Sequence, residues 1–158
     1  LLKFLGITPT QTNVNTLRAW SAAENTTAKN NPLATTWDMR TKGATYFNSA
    51  GVQNYPTLEI GVAATGQTLK QANFKPLLRI LKDSLHIDEN ATPEVISALN
   101  TYKGENATKY ILGTYSTRFK NKPVTLKKND AGDNIVIAVA ITFLVVLIFS
   151  LYKYQYNA

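Results

Sequence analysis

Cysteine is absent from the 158 residues, so neither a disulfide framework nor a thiolate metal site can contribute to fold or chemistry. Histidine occurs once, as His86. A single imidazole cannot build the common zinc arrangements, which bring two or three imidazoles or thiolates to the ion, so a metalloenzyme is disfavoured and no cofactor is expected. There is no phosphate-cradling glycine loop, no Ser-His-Asp order and no nucleic-acid motif. Acidic residues are scarce, 10 against 17 basic ones, which gives a net charge of +7 and a pI near 9.6. Such a charge favours an anionic partner, whether lipid headgroups, an acidic wall polymer or nucleic acid. Long apolar runs are missing except for one block near the C-terminus, and the remainder is polar and rich in Asn and Thr. The length suits one ordinary domain plus an appendage.

The apolar block is IVIAVAITFLVVLIFSLY, residues 135–152, 18 positions without a charge. As a helix it extends about 27 Å, close to the hydrocarbon thickness of a bilayer. Asp130, Gly132 and Asp133 mark one edge, and Tyr152, Tyr154, Tyr156 and Lys153 form an interfacial border on the other. A transmembrane helix is therefore expected at 135–152, with a short polar tail at 153–158. Arg118, Lys120, Lys122, Lys127 and Lys128 crowd the preceding segment, 116–134. That segment reads as a basic juxtamembrane linker attracted to a lipid bilayer with anionic headgroups. The same basic bias puts the larger domain on the cytoplasmic side, or on its equivalent in a virus-internal membrane.

Residues 1–115 carry the patterns of a mainly α domain with a small irregular or β region. Residues 1–5 read as the tail of a short helix broken by Gly6 and Pro9. Val14, Leu17, Trp20 and Glu24 recur at spacings of three and four, which predicts a first long helix capped by Thr12 or Asn13. Breakers between residues 30 and 56 leave room only for short strands, for example at 44–47. Thr57 then caps a helix whose Leu58, Val62, Thr65 and Leu69 share a face beside Gly61, Ala64 and Gly66. Pro76 opens another with an apolar stripe of Leu77, Leu78, Leu81 and Leu85, and Thr92-Pro93-Glu94 starts one that runs to about Tyr102. After Gly104 the pattern weakens to a short apolar element around Tyr110, Ile111 and Tyr115.

Glu24 is the residue best placed for chemistry. It lies one helical turn beyond Trp20, so its carboxyl belongs to the buried stripe at the helix's C-terminal end. Poor solvation and the negative end of the helix both oppose ionisation there, which predicts a raised pKa. A neutral carboxylic acid is what protonation of a glycosidic oxygen requires.

The order Glu24, Asn31-Pro32-Leu33 with Thr35-Thr36, Gly51-Val52-Gln53-Asn54-Tyr55, then Ile60-Gly61-Val62-Ala63-Ala64 resembles the lysozyme-like lytic transglycosylases and goose-type lysozymes over about residues 12–72. The Asn-Pro-Leu and Gly-Val-Gln-Asn-Tyr stretches are similar to those in cell-wall-degrading regions of bacteriophage virion proteins. The family usually has Ser directly after its Glu, where this chain has Asn25, and its Gly-Leu-Met-Gln turn here reads Gly-Val-Gln-Asn-Tyr. The resemblance implies a lysozyme-like α+β fold, with Glu24 as general acid and base and Gln53, Tyr55, Asn31 and Thr36 as substrate contacts. In the transglycosylase mechanism one carboxyl suffices: it protonates the leaving oxygen, then helps the muramic acid's own hydroxyl attack the anomeric carbon, giving an anhydro-sugar. Hydrolysis would instead require a second carboxylate, for which Asp38 and Glu59 are the candidates. The expectation is a membrane-anchored enzyme that acts on peptidoglycan glycan strands and is carried in a virus particle for genome entry. The rival is a structural virion membrane protein whose lysozyme-like domain binds glycan or other virion proteins without cutting.

Overall fold

Thr10 and Asn13 cap each other at the start of the first helix. Thr10 Oγ1 accepts from the Asn13 backbone N–H at 3.2 Å, and Asn13 Oδ1 accepts from the Thr10 N–H at 2.8 Å. The helix they open, α1, spans Gln11–Glu24, so its cap is Thr10 and the expected cap Asn13 is instead the reciprocal partner. Asn25, at φ 44° and ψ 38°, closes it in the left-handed conformation. The computed structural model describes residues 1–125, 127–128 and 135–136. Its contacts separate two units, Leu1–Val124 and Thr125–Ala158.

The first unit is mainly helical. After α1 an irregular loop leads to a small antiparallel ribbon, β1 (Thr45–Tyr46) against β2 (Gln53–Asn54), with Thr45 opposite Asn54 and Tyr46 opposite Gln53. Helix α2 (Leu58–Lys70) begins at its Thr57 cap as expected. Its inward face differs from the expected stripe: Gly61, Ala64, Thr65, Thr68 and Leu69 are buried, while Leu58 is 54% exposed. Close approach explains the rotation, because a Cβ on Gly61 would stand 1.9 Å from the Asn30 carbonyl oxygen. Only a helix face of small residues fits against that loop. Beneath it, Ala44, Tyr55 and Ala64 form a small core with Trp37, Met39 and Ile60 packed against them.

Pro76 sits in the first turn of α3 (Lys75–Lys82), where its missing N–H leaves no bond unmade. Leu77, Ile80 and Leu81 are buried; Leu85 lies beyond the helix end, past Ser84 at φ 54°. Helix α4 (Pro93–Lys103) starts at its Thr92 cap, and α5 (Glu105–Thr114) follows it across Gly104, whose φ of 96° makes the break. α5 packs on both α1 and α4. Trp20, Leu69, Leu77, Leu81, Leu99 and Ile111 are fully buried, each contributing about 2 kcal/mol of apolar burial.

The chain does not leave this unit at residue 115. A π-helical turn, Tyr115–Phe119, continues α5, and the buried Asn15 side chain donates to the carbonyls of Phe119 and Lys122, both at 2.7 Å. Residues 116–119, expected in the linker, thus belong to the helical unit. In the second unit, β3 (Lys127–Lys128) pairs antiparallel with β4 (Ile135–Val136), so the first two residues of the expected transmembrane helix are extended. The rest of that expected helix, 137–152, lies outside the described residues. Among the described residues no helix is long and apolar enough to cross a membrane.

Candidate functional site

Glu24 closes α1 with its side chain 4% exposed. The spacing from Trp20 that predicts a shared face also delivers a bond: the indole Nε1–H donates to Glu24 Oε1 at 3.1 Å. The other oxygen, Oε2, stands 3.0 Å from Lys103 Nζ, which reaches over from the last residue of α4 and also donates to the Ala23 carbonyl at 2.7 Å. Burial pushes the Glu24 carboxyl above its ordinary range, against the opposing pull of the Lys103 ammonium and the Trp20 indole. A carboxyl in this position exchanges protons nearer neutrality than a solvated one.

Trp20 connects the acid to a second aromatic layer. Its ring meets Tyr102 edge to face, with centroids 4.8 Å apart, and Tyr102 meets Phe74 in the same manner at 5.6 Å. The Tyr102 hydroxyl donates to the Leu33 carbonyl at 2.6 Å. Tyr102 in turn lines a cleft of about 360 Å³ walled by residues 34–38 on one side and by Thr68, Gln71, Asn73, Phe74 and Thr101 on the other. Its lining carries hydroxyl, amide, carboxylate and indole groups, of which the Thr35 and Thr68 hydroxyls bond each other at 2.6 Å.

The sequence-predicted residues divide into three groups. Thr36 and Asp38 line the cleft. Asp38 is held by Arg40, whose Nε donates to Oδ1 at 3.0 Å and whose Nη2 donates to Oδ2 at 2.6 Å; these bonds keep the carboxyl below its ordinary range and ionised. Asn31, Gln53 and Tyr55 are buried and build the loop from within. Asn31 Nδ2 donates to the carbonyls of Thr35 (2.9 Å) and Gln53 (2.7 Å), while its Oδ1 accepts from the Thr35 N–H (2.9 Å). The Tyr55 hydroxyl donates to the Trp37 carbonyl at 2.8 Å. Gln53 Nε2 donates to the Gly51 carbonyl, and its Oε1 is buried with no hydrogen-bond partner among the described residues. Glu59 stands apart, exposed in the first turn of α2, where its own N–H and Thr57 hold its pKa down.

Neither Glu24 nor Gln53 lines this cleft, nor the shallow depression at the hairpin tip formed by residues 46–51. The acid sits one ring layer behind the Tyr102 wall. Backbone strain gathers along the same segment: Asn25, Asn30 and Ala34 all have positive φ. Ala34, at φ 52°, has no polar side chain to compensate, a cost of about 1–2 kcal/mol. Such strain is concentrated at functional sites. Lys103 and the cleft residues Gln71 and Asn73 escape a sequence reading, because long-range packing alone brings them here. Comparison with known proteins found no matching family model, no matching curated sequence and no matching solved structure.

Proposed function

We propose that this domain cleaves peptidoglycan glycan strands, with Glu24 as the general acid. The observation that carries the proposal is a carboxyl 4% exposed at the end of α1, behind the aromatic wall of a polar cleft. Protonated, Glu24 delivers its proton to the glycosidic oxygen; as a carboxylate it then takes the proton of the attacking hydroxyl. Lys103, at 31% side-chain exposure, is the outer cover of the acid, and a sugar reaching Glu24 displaces its ammonium from Oε2. An intramolecular attack by the muramic acid hydroxyl needs no second carboxylate. A hydrolytic outcome would draw on Asp38, which is ionised and lines the cleft.

The uncharged stretch at 135–152 supports a membrane tether for the domain. A wall-cutting domain held on the cytoplasmic side meets no substrate, whereas one carried in a virus particle is delivered to the wall. That contrast favours a virion-borne enzyme acting at genome entry.

One observation favours a second reading, a virion membrane protein that binds glycan without cutting: both Glu24 oxygens already have donors, and neither opens into the cleft. Incubation of the full chain with purified sacculi, followed by mass spectrometry of the released fragments, separates the two. Cleavage yields anhydro-muropeptides or reducing ends that disappear in Glu24→Gln. Co-sedimentation with sacculi without released fragments would leave the binding reading.

A further inference from the structure

The five basic residues that precede the apolar block do not act alike once the chain is folded. Lys120 is spent within the protein, 2.9 Å from Asp88 and 2.7 Å from Glu89, where it fastens the π-turn to the end of the α3–α4 connection. Arg118 has no such carboxylate among the described residues. Its guanidinium lies over the Phe119 ring at 5.7 Å, and Arg18, in the middle of α1, lies over the same ring at 5.2 Å. Arg18 was not part of the sequence cluster; Asn15, on the same helix, brings it there by clamping the Phe119 and Lys122 carbonyls. Neither Arg18 nor Arg118 pairs with an acidic side chain among the described residues. The result is a face on the helical unit made of two guanidiniums and one aromatic ring, with Arg118 exposed and Arg18 and Phe119 half-buried.

The geometry points to a function for this face: Arg18, Arg118 and Phe119 form a docking surface for an anionic lipid bilayer. Two features select that partner over others. The face lies where the helical unit ends, at Val124, just before Lys127, Lys128 and the uncharged stretch 135–152 in the sequence. Its chemistry, planar forks for phosphate oxygens around an aromatic that tolerates the headgroup region, matches a lipid interface. The inference rests on the membrane tether proposed for residues 135–152 and stands apart from the role of Glu24.

The test uses the full chain mixed with vesicles of phosphatidylcholine alone or of phosphatidylcholine with phosphatidylglycerol. Phenylglyoxal modification of each arginine is followed by peptide mass spectrometry. Arg18 and Arg118 are expected to react about five-fold more slowly on the anionic vesicles, and salt at about 0.5 M to restore them. Arg79 on α3 is expected to react equally on both. Equal rates for Arg18 and Arg118 on the two vesicle types, or the same slowing at Arg79, would overturn the proposal. So would protection by a short single-stranded DNA but not by vesicles, which would assign the face to nucleic acid.

Discussion

Lys103 Nζ holds Glu24 Oε2 at 3.0 Å and the Ala23 carbonyl at 2.7 Å, so the end of α4 seals the end of α1 across the fold. One ammonium therefore neutralises the buried acid and satisfies a terminal carbonyl of its helix. The state of the candidate catalyst depends on a residue far from it in sequence.

Removing that ammonium in Lys103→Met takes away a downward pull on a pKa that burial already raises, so the Glu24 pKa rises further. A carboxyl with a raised folded pKa stabilises the fold fully below its unfolded value of about 4.3, and this contribution is lost as pH rises through the folded value. Lys103→Met is thus expected to lose little stability at pH 4 and about 2 kcal/mol at pH 7. Urea unfolding at both pH values, with carboxyl NMR of Glu24, measures it. An equal loss at the two pH values would contradict the pairing.

Trp20→Phe keeps an aromatic ring against Tyr102 but removes the Nε1–H that Glu24 Oε1 accepts. Stability should fall by about 1–2 kcal/mol, and the Glu24 titration should move upward. An unmoved titration would show that the indole does not hold the acid.

Asn31 makes three hydrogen bonds from a fully buried amide, joining Thr35 to the strand carbonyl of Gln53. Asn31→Ala strands those backbone groups and is expected to destabilise the unit by about 3 kcal/mol. Amide exchange should rise first at Thr35 and across β1 and β2. If exchange there stays unchanged, Asn31 is not the organiser of the cleft loop.

Gly61→Ala sets helix preference against space. In an open helix interior the change stabilises by about 1 kcal/mol. Here the new methyl meets the Asn30 carbonyl oxygen at 1.9 Å, so net destabilisation of about 2 kcal/mol is expected in urea unfolding. A stabilised variant would mean that α2 and the loop do not touch as described.

Much of the fold is legible locally. Thr57, Pro76 and Thr92-Pro93 announce helix starts because caps and first-turn prolines act on their own neighbours. The burial of Glu24 follows from its spacing to Trp20. What fails is whatever distant contacts decide. Leu58 faces outward because Asn30 admits only glycine at position 61. Residues 116–119 stay helical because Asn15 holds their end. Asn31, Gln53 and Tyr55, expected as substrate contacts, are buried inside the loop, since an irregular loop must satisfy its own backbone groups before it can present any to a ligand.

In the proposed reaction Glu24 gives a proton to a glycosidic oxygen. Its direct measurement is the rate of fragment release from purified sacculi by the full chain and by Glu24→Gln, with both shown to be folded. Loss of an acid typically lowers such rates by about 10²–10⁴. A drop in that range, with sacculus binding retained, is the expected result; equal release by the two proteins would contradict it.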